Sequence, residues 1–166
     1  MSSRGYLEVW TGGQTGVDRA ALDAALELGL PIAGWVPKGR LAEDGPVPAC
    51  YAHLREAESP DYATRTLLNV RDTDATLVLS VGRATGGTLE TVNAARRLER
   101  PLLEIDLAAT DTARAATAVM NWLEGLFKTR APIRLNVAGP RASQAPTAYA
   151  RAIDTLRRAL ASHSSR

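Results

Sequence analysis

Cysteine is almost missing from this chain of 166 residues. Cys50 is the only one, so no internal disulfide can form, which argues against a bridge-stapled secreted scaffold. Histidine is nearly as scarce. His53 and His163 stand alone, without the spacing of zinc ligands, and no metal site is expected. Three Trp, four Tyr and one Phe offer no evident stacking platform for single-stranded nucleic acid. No apolar run approaches the ~18 residues of a membrane span, and Met1-Ser2-Ser3-Arg4-Gly5 lacks the apolar stretch of a signal peptide. The expectation is a cytoplasmic protein with no membrane partner. A dominant charge is also lacking, since the net charge is only +2. Arginines alternate with acids, as in Arg96-Arg97-Leu98-Glu99-Arg100. That pattern reads as a solvated helix face, and nucleic acid is not an expected partner.

What is present is a steady alternation of short apolar runs and helical patterns. No linker, repeat or low-complexity tract interrupts it, so residues 1–166 read as one domain, with fraying expected from Ser162 onward. Strands are expected at residues 6–11, 30–35, 75–80, 101–107 and 133–138. Helices are expected at about 17–28, 61–72, 86–99, 112–128 and 146–161. Residues 36–48, rich in Pro and Gly, read as an irregular functional loop. Nearly continuous apolar strands indicate burial on both sheet faces. The predicted class is α/β: a three-layer Rossmann-like fold on a mostly parallel sheet of about five strands.

Ligands of such sheets bind beyond the carboxyl ends of the strands, where this sequence places three glycine loops. They are Gly12-Gly13-Gln14-Thr15-Gly16 after the first strand, Arg83-Ala84-Thr85-Gly86-Gly87-Thr88 after the third, and Gly139-Pro140-Arg141-Ala142-Ser143 after the fifth. Glycine lets a ligand approach the backbone closely, and a following helix offers unpaired N–H groups to an anion. Thr15, Thr85, Thr88 and Ser143 add hydroxyl groups, while Arg83 and Arg141 add bidentate charge. Lys38 and Arg40, in the turn Pro37-Lys38-Gly39-Arg40, are placed to reach over a bound anion like a lid. The plain alternative is a set of ordinary turns and caps. None of the loops matches G-x-G-x-x-G or the P-loop pattern, which argues against those routes to NAD chemistry and NTP hydrolysis. Asp18 and Glu90 sit in first helical turns. They are either dipole-stabilised carboxylates or the acid/base and ligand-binding groups of a site.

Taken together, residues 11–21, 34–40, 69–74, 85–88 and 136–143 resemble a bacterial family named for carriage of the molybdenum cofactor. That family belongs to the SLOG superfamily, together with the "lonely guy" phosphoribohydrolases and the DNA-processing protein A group. The resemblance implies a circularly permuted SLOG-type fold in which the last strand corresponds to the first strand of relatives. It also implies a phosphorylated pterin or nucleotide-like ligand, with the molybdenum cofactor (molybdopterin) as cargo, and a homodimer or homotetramer. The related hydrolases carry P-G-G-x-G-T-x-x-E. Aligning Gly87-Thr88 with the G-T puts Thr91 where the catalytic Glu belongs and Glu90 one position early, about 100° around the helix. The leading expectation is therefore a carrier or storage protein whose loops grip a phosphate, with Trp35 or Tyr51 walling the ring pocket. A nucleotide N-glycosidic hydrolase using Glu90 or Asp18, and a nucleotide sensor, are the alternatives.

Overall fold

A computed structural model describes residues 6–165; the Met1–Gly5 start, on which the expectation about a leader rests, lies outside them. Five strands, β1 (Leu7–Trp10), β2 (Ile32–Ala33), β7 (Ala75–Ser80), β8 (Leu102–Asp106) and β9 (Ile133–Ala138), form one sheet in the order β2-β1-β9-β7-β8. Every pairing in it is parallel. Val9, Leu77, Leu79, Leu135 and Val137 are fully buried, as expected of strands covered on both faces.

Helix α1 (Val17–Glu27) packs against α5 (Ala148–Leu160), which also meets α4 (Thr112–Phe127); α2 (Tyr62–Arg71) and α3 (Gly86–Arg97) pack together as a separate pair. Ala20, Ala21, Ala24 and Ala25 give α1 a small-residue face with no exposure. Opposite it, α5 buries Ala148, Ala152, Leu156 and Leu160. Asp61 caps α2 through Ala63 N–H, and Asp111 caps α4 through Arg114 N–H. Among the described residues no helix is long and apolar enough to cross a membrane.

The strand order carries the permutation. If β9 is counted first and β1, β2, β7 and β8 follow, the sheet reads 3-2-1-4-5, the Rossmann order. The C-terminal strand thus occupies the central place, and the crevice where connections diverge lies beside it, between β9 and β7.

Three segments depart from expectation. The second strand, expected to run through Trp35, ends at Ala33. Gly34 (φ 141°) bends the chain so tightly that a Cβ there would overlap the Thr11 carbonyl. After the bend, β3 (Trp35–Val36) pairs with β6 (Arg55–Glu56) in a separate two-stranded ribbon. Asn69 clamps β3 from α2: its amide donates to the Trp35 carbonyl and its carbonyl accepts from the Trp35 N–H, at 2.9 and 2.8 Å. The segment expected to be irregular contains an antiparallel hairpin of β4 (Leu41–Ala42) and β5 (Gly45–Pro46). At the C-terminal end, residues 161–163 make a 3-10 turn. Ser164 and Ser165 then donate to the carbonyls of Leu28 and Gly29, so the stretch read as frayed is hydrogen-bonded through Ser165.

Candidate functional site

A cleft of about 250 Å³ opens at the carboxyl edge of the sheet. Gly12 after β1, Gly86 and Gly87 at the start of α3, and Gly139 and Arg141 after β9 all line it. The three glycine loops therefore meet, but they are not equivalent.

The first loop is closed by its neighbour. Gly16 (φ 79°) lies against the Pro140 carbonyl, which accepts the first helical N–H of α1, from Val17, at 3.3 Å. Gly13 is packed on Val36 and Val47. Gln14 directs its side-chain carbonyl to the N–H groups of Thr15 and Glu43. The third loop runs through turns before α5 begins at Ala148. Gly139 is required there by packing, since a Cβ would overlap the Leu79 carbonyl. Only the second loop leads straight into an open helix end. Thr85 occupies the N-cap of α3 and makes no capping hydrogen bond through its side chain. Gly87 has nothing within 4 Å of where its Cβ would lie. The first-turn N–H groups of a helix have no intrahelical acceptor, so those of α3 are presented to the cleft with the positive end of the dipole.

Across the cleft stands a residue that the loop motifs do not contain, Arg65 of α2. Its guanidinium covers Gly12 so closely that a Cβ on Gly12 would overlap it. It lies 5.4 Å from the centre of the Tyr62 ring, and its side chain is only 11% exposed. Nη1 pairs with Asp18 at 3.2 Å, while the buried Nε has no hydrogen-bond partner. Asp18 also accepts from the Gln14 N–H at 3.1 Å. Burial pushes the Asp18 carboxyl above its ordinary range and outweighs the opposing pull of Arg65. A signal for Arg65 existed in the sequence only as one more arginine on a helix, because periodicity cannot say which loop a helix will face.

The remaining candidates fall in different places. Thr88 and Glu90 line the cleft, Thr88 buried and Glu90 exposed. Thr91 lines it too and gives its hydroxyl to the Gly87 carbonyl at 3.0 Å. Arg83 and Thr85 are exposed and do not line the cleft. Lys38 and Arg40, expected to reach over a bound anion, do not line the cleft. Lys38 is exposed on its turn, and Arg40 donates to the carbonyls of Val47, Pro48 and Tyr51, bracing the loop that holds it. Nor do Trp35 and Tyr51 wall the cleft. The Trp35 indole donates to Asp72 at 2.8 Å and the Tyr51 hydroxyl to Asp23 at 2.6 Å, both away from it. Tyr62 is the aromatic side chain that lines it.

Thr15, Arg141 and Ser143 do converge, but on a carboxylate of the protein itself. Glu43, between β4 and β5, accepts from the hydroxyls of Thr15 and Ser143, and from the Ser143 N–H at 3.1 Å. The Arg141 guanidinium lies 3.6 Å from it. Burial opposes ionisation of Glu43, yet these donors outweigh it and hold the carboxyl below its ordinary value. Beside it, Asp44 forms a two-pronged ion pair with Arg19, both contacts at 3.0 Å, and the Arg19 Nε donates to the Gly13 carbonyl.

A family model described as "Circularly permutated YpsA SLOG family" matches residues 9–160. The crystal structure of a protein named "Putative molybdenum carrier protein" from Syntrophus aciditrophicus SB is 42% identical, with a TM-score of 0.87. The match covers 94% of this chain and 96% of that one. No curated protein matches.

Proposed function

This chain belongs to the circularly permuted YpsA SLOG family, and on that premise we propose that it holds a phosphate-bearing small molecule in the cleft, as a carrier or store. The ligand class is a phosphorylated pterin or a nucleotide-like monoester; the family resemblance makes the molybdenum cofactor the first cargo to try, and the structural relative is named "Putative molybdenum carrier protein". One observation carries the reading: the uncapped N-terminus of α3 and Arg65, whose Nε has no hydrogen-bond partner, line the same cleft. A buried guanidinium with an unused donor is costly unless something accepts from it, and a helix N-terminus favours an anion. The phosphate takes the amides of Gly87 and Thr88 and the Arg65 fork, Gly12 allows that fork to lie flat on the first loop, and Tyr62 flanks the group esterified to it. Thr91 stands where related hydrolases carry their catalytic Glu, so the role assigned is holding rather than cutting. The homodimer or homotetramer implied by the family resemblance belongs to the same reading. Leu67 on α2 and Leu89 on α3 are 40% and 42% exposed, and sedimentation tests it.

The test is calorimetric titration of the purified protein with a panel of phosphate monoesters, including molybdopterin and nucleoside monophosphates, repeated with Arg65→Ala. Micromolar binding that weakens tenfold or more in Arg65→Ala, with ligand recovered intact, supports the reading. No binding across the panel, together with no ligand in native mass spectra of fresh protein, overturns it. Recovery of free base instead of intact ligand would replace holding with hydrolysis.

A further inference from the structure

The donors that Thr15, Arg141 and Ser143 present are those of a second anion seat adjoining the cleft, and Glu43 already sits in it. Two hydroxyls, one backbone N–H and a guanidinium surround its carboxylate. The Ala142 N–H closes the ring by donating to the Thr15 hydroxyl oxygen at 3.0 Å. Arg141 is shared, since it lines the cleft and also lies beside Glu43. Glu43 is held there by the hairpin that carries it, whose other acid, Asp44, is tied to Arg19. The seat is therefore filled by a fixed negative charge, one guanidinium away from where the ligand phosphate binds.

We propose that Glu43 sets the charge of the ligand that this site accepts. It occupies the seat a second phosphoryl group would take, so that monophosphates are held and diphosphates refused. This rests on the cleft reading above and adds its selectivity. A monoester phosphate at α3 and Arg65 needs nothing from the seat. A diphosphate that uses both positions must bring its second phosphoryl group towards Arg141, where it meets the Glu43 carboxylate. Glu43 is exposed as a residue, so the like-charge repulsion is partly screened by water and weakens with added salt, but the hydroxyl and N–H donors are already taken. Discrimination of this kind comes from a built-in repulsive element, not from a better contact to the preferred ligand.

Orthophosphate and pyrophosphate serve as probes for wild type, Glu43→Ala and Glu43→Gln, with affinities read by calorimetry and folding checked by thermal melting. Wild type is expected to bind orthophosphate and to bind pyrophosphate at least tenfold more weakly. Emptying the seat in Glu43→Ala is expected to tighten pyrophosphate tenfold or more and to change the orthophosphate bound at α3 and Arg65 less than about threefold, with any second orthophosphate in the emptied seat resolved by the stoichiometry. Glu43→Gln keeps the acceptor oxygen but removes the charge, so a smaller gain for pyrophosphate alone is expected; it also supplies the test if Glu43→Ala does not fold. Equal tightening of both probes, or wild type that binds pyrophosphate as well as orthophosphate, overturns the proposal and leaves the cleft reading standing. If neither probe binds any of the three proteins, the selectivity proposal falls, and the cleft reading is decided by the monoester titration.

Discussion

At the scale of single residues, two glycines do different work. Gly12 faces the cleft beneath the Arg65 guanidinium, which is the mobile end of a long side chain. Gly34 instead meets backbone, with φ 141° and the Thr11 carbonyl directly over it. Gly12→Ala is therefore expected to fold with a melting temperature within a few degrees of wild type, while displacing Arg65 and weakening phosphate binding about tenfold. Gly34→Ala is expected to cost about 2–4 kcal/mol in urea unfolding, because neither the backbone strain nor the overlap can relax. An equal stability loss in both variants would show that Gly12 is a packing residue. The sequence marked Gly12 as part of a ligand loop and left Gly34 inside an expected strand, because a missing Cβ does not say whether a ligand, a guanidinium or a carbonyl fills the space.

At the scale of elements, the β4–β5 hairpin was the least legible part of the chain. Its strands have two residues each, too short for any periodicity, and Pro and Gly masked them as loop. What secures it is tertiary: Asp44 to Arg19 of α1, and Glu43 to the loop after β9. This has a pH consequence. The folded-state value of Glu43 lies below its ordinary value, so its charge adds stability that is present above the ordinary Glu range and is lost as pH falls through the lowered value. In urea unfolding, any advantage of wild type over Glu43→Gln is expected to be largest near neutrality and to shrink as pH drops below about 4. An advantage independent of pH would mean that the ionised carboxylate is not what ties the hairpin down.

At the scale of the whole molecule, the order β2-β1-β9-β7-β8 makes the chain a rotated Rossmann sequence. Tyr6 and Ser165 both lie at the amino edge of the sheet, since Tyr6 bonds to Ile133 at the start of β9 and Ser165 to the end of α1. A permutant opened between Thr129 and Arg130, in the exposed turn before β9, with residue 166 linked to residue 1 by a short Gly/Ser segment, is expected to fold. Circular dichroism should match wild type, and orthophosphate binding should stay within about threefold. An unfolded product would show that β9 must be added last. Local composition by itself determined the α/β class, the five strands of the sheet, the five helices and the three glycine loops, because apolar period and turn chemistry are written in neighbouring residues. The tertiary structure decided which loop keeps its N–H groups open, that Arg65 joins Arg141 in the cleft, and that Glu43 sits among the donors expected for ligand. Those outcomes depend on partners 47 residues apart for Arg65 and Asp18, and 100 apart for Ser143 and Glu43. No local pattern records which of several competing donors and acceptors the fold will bring together.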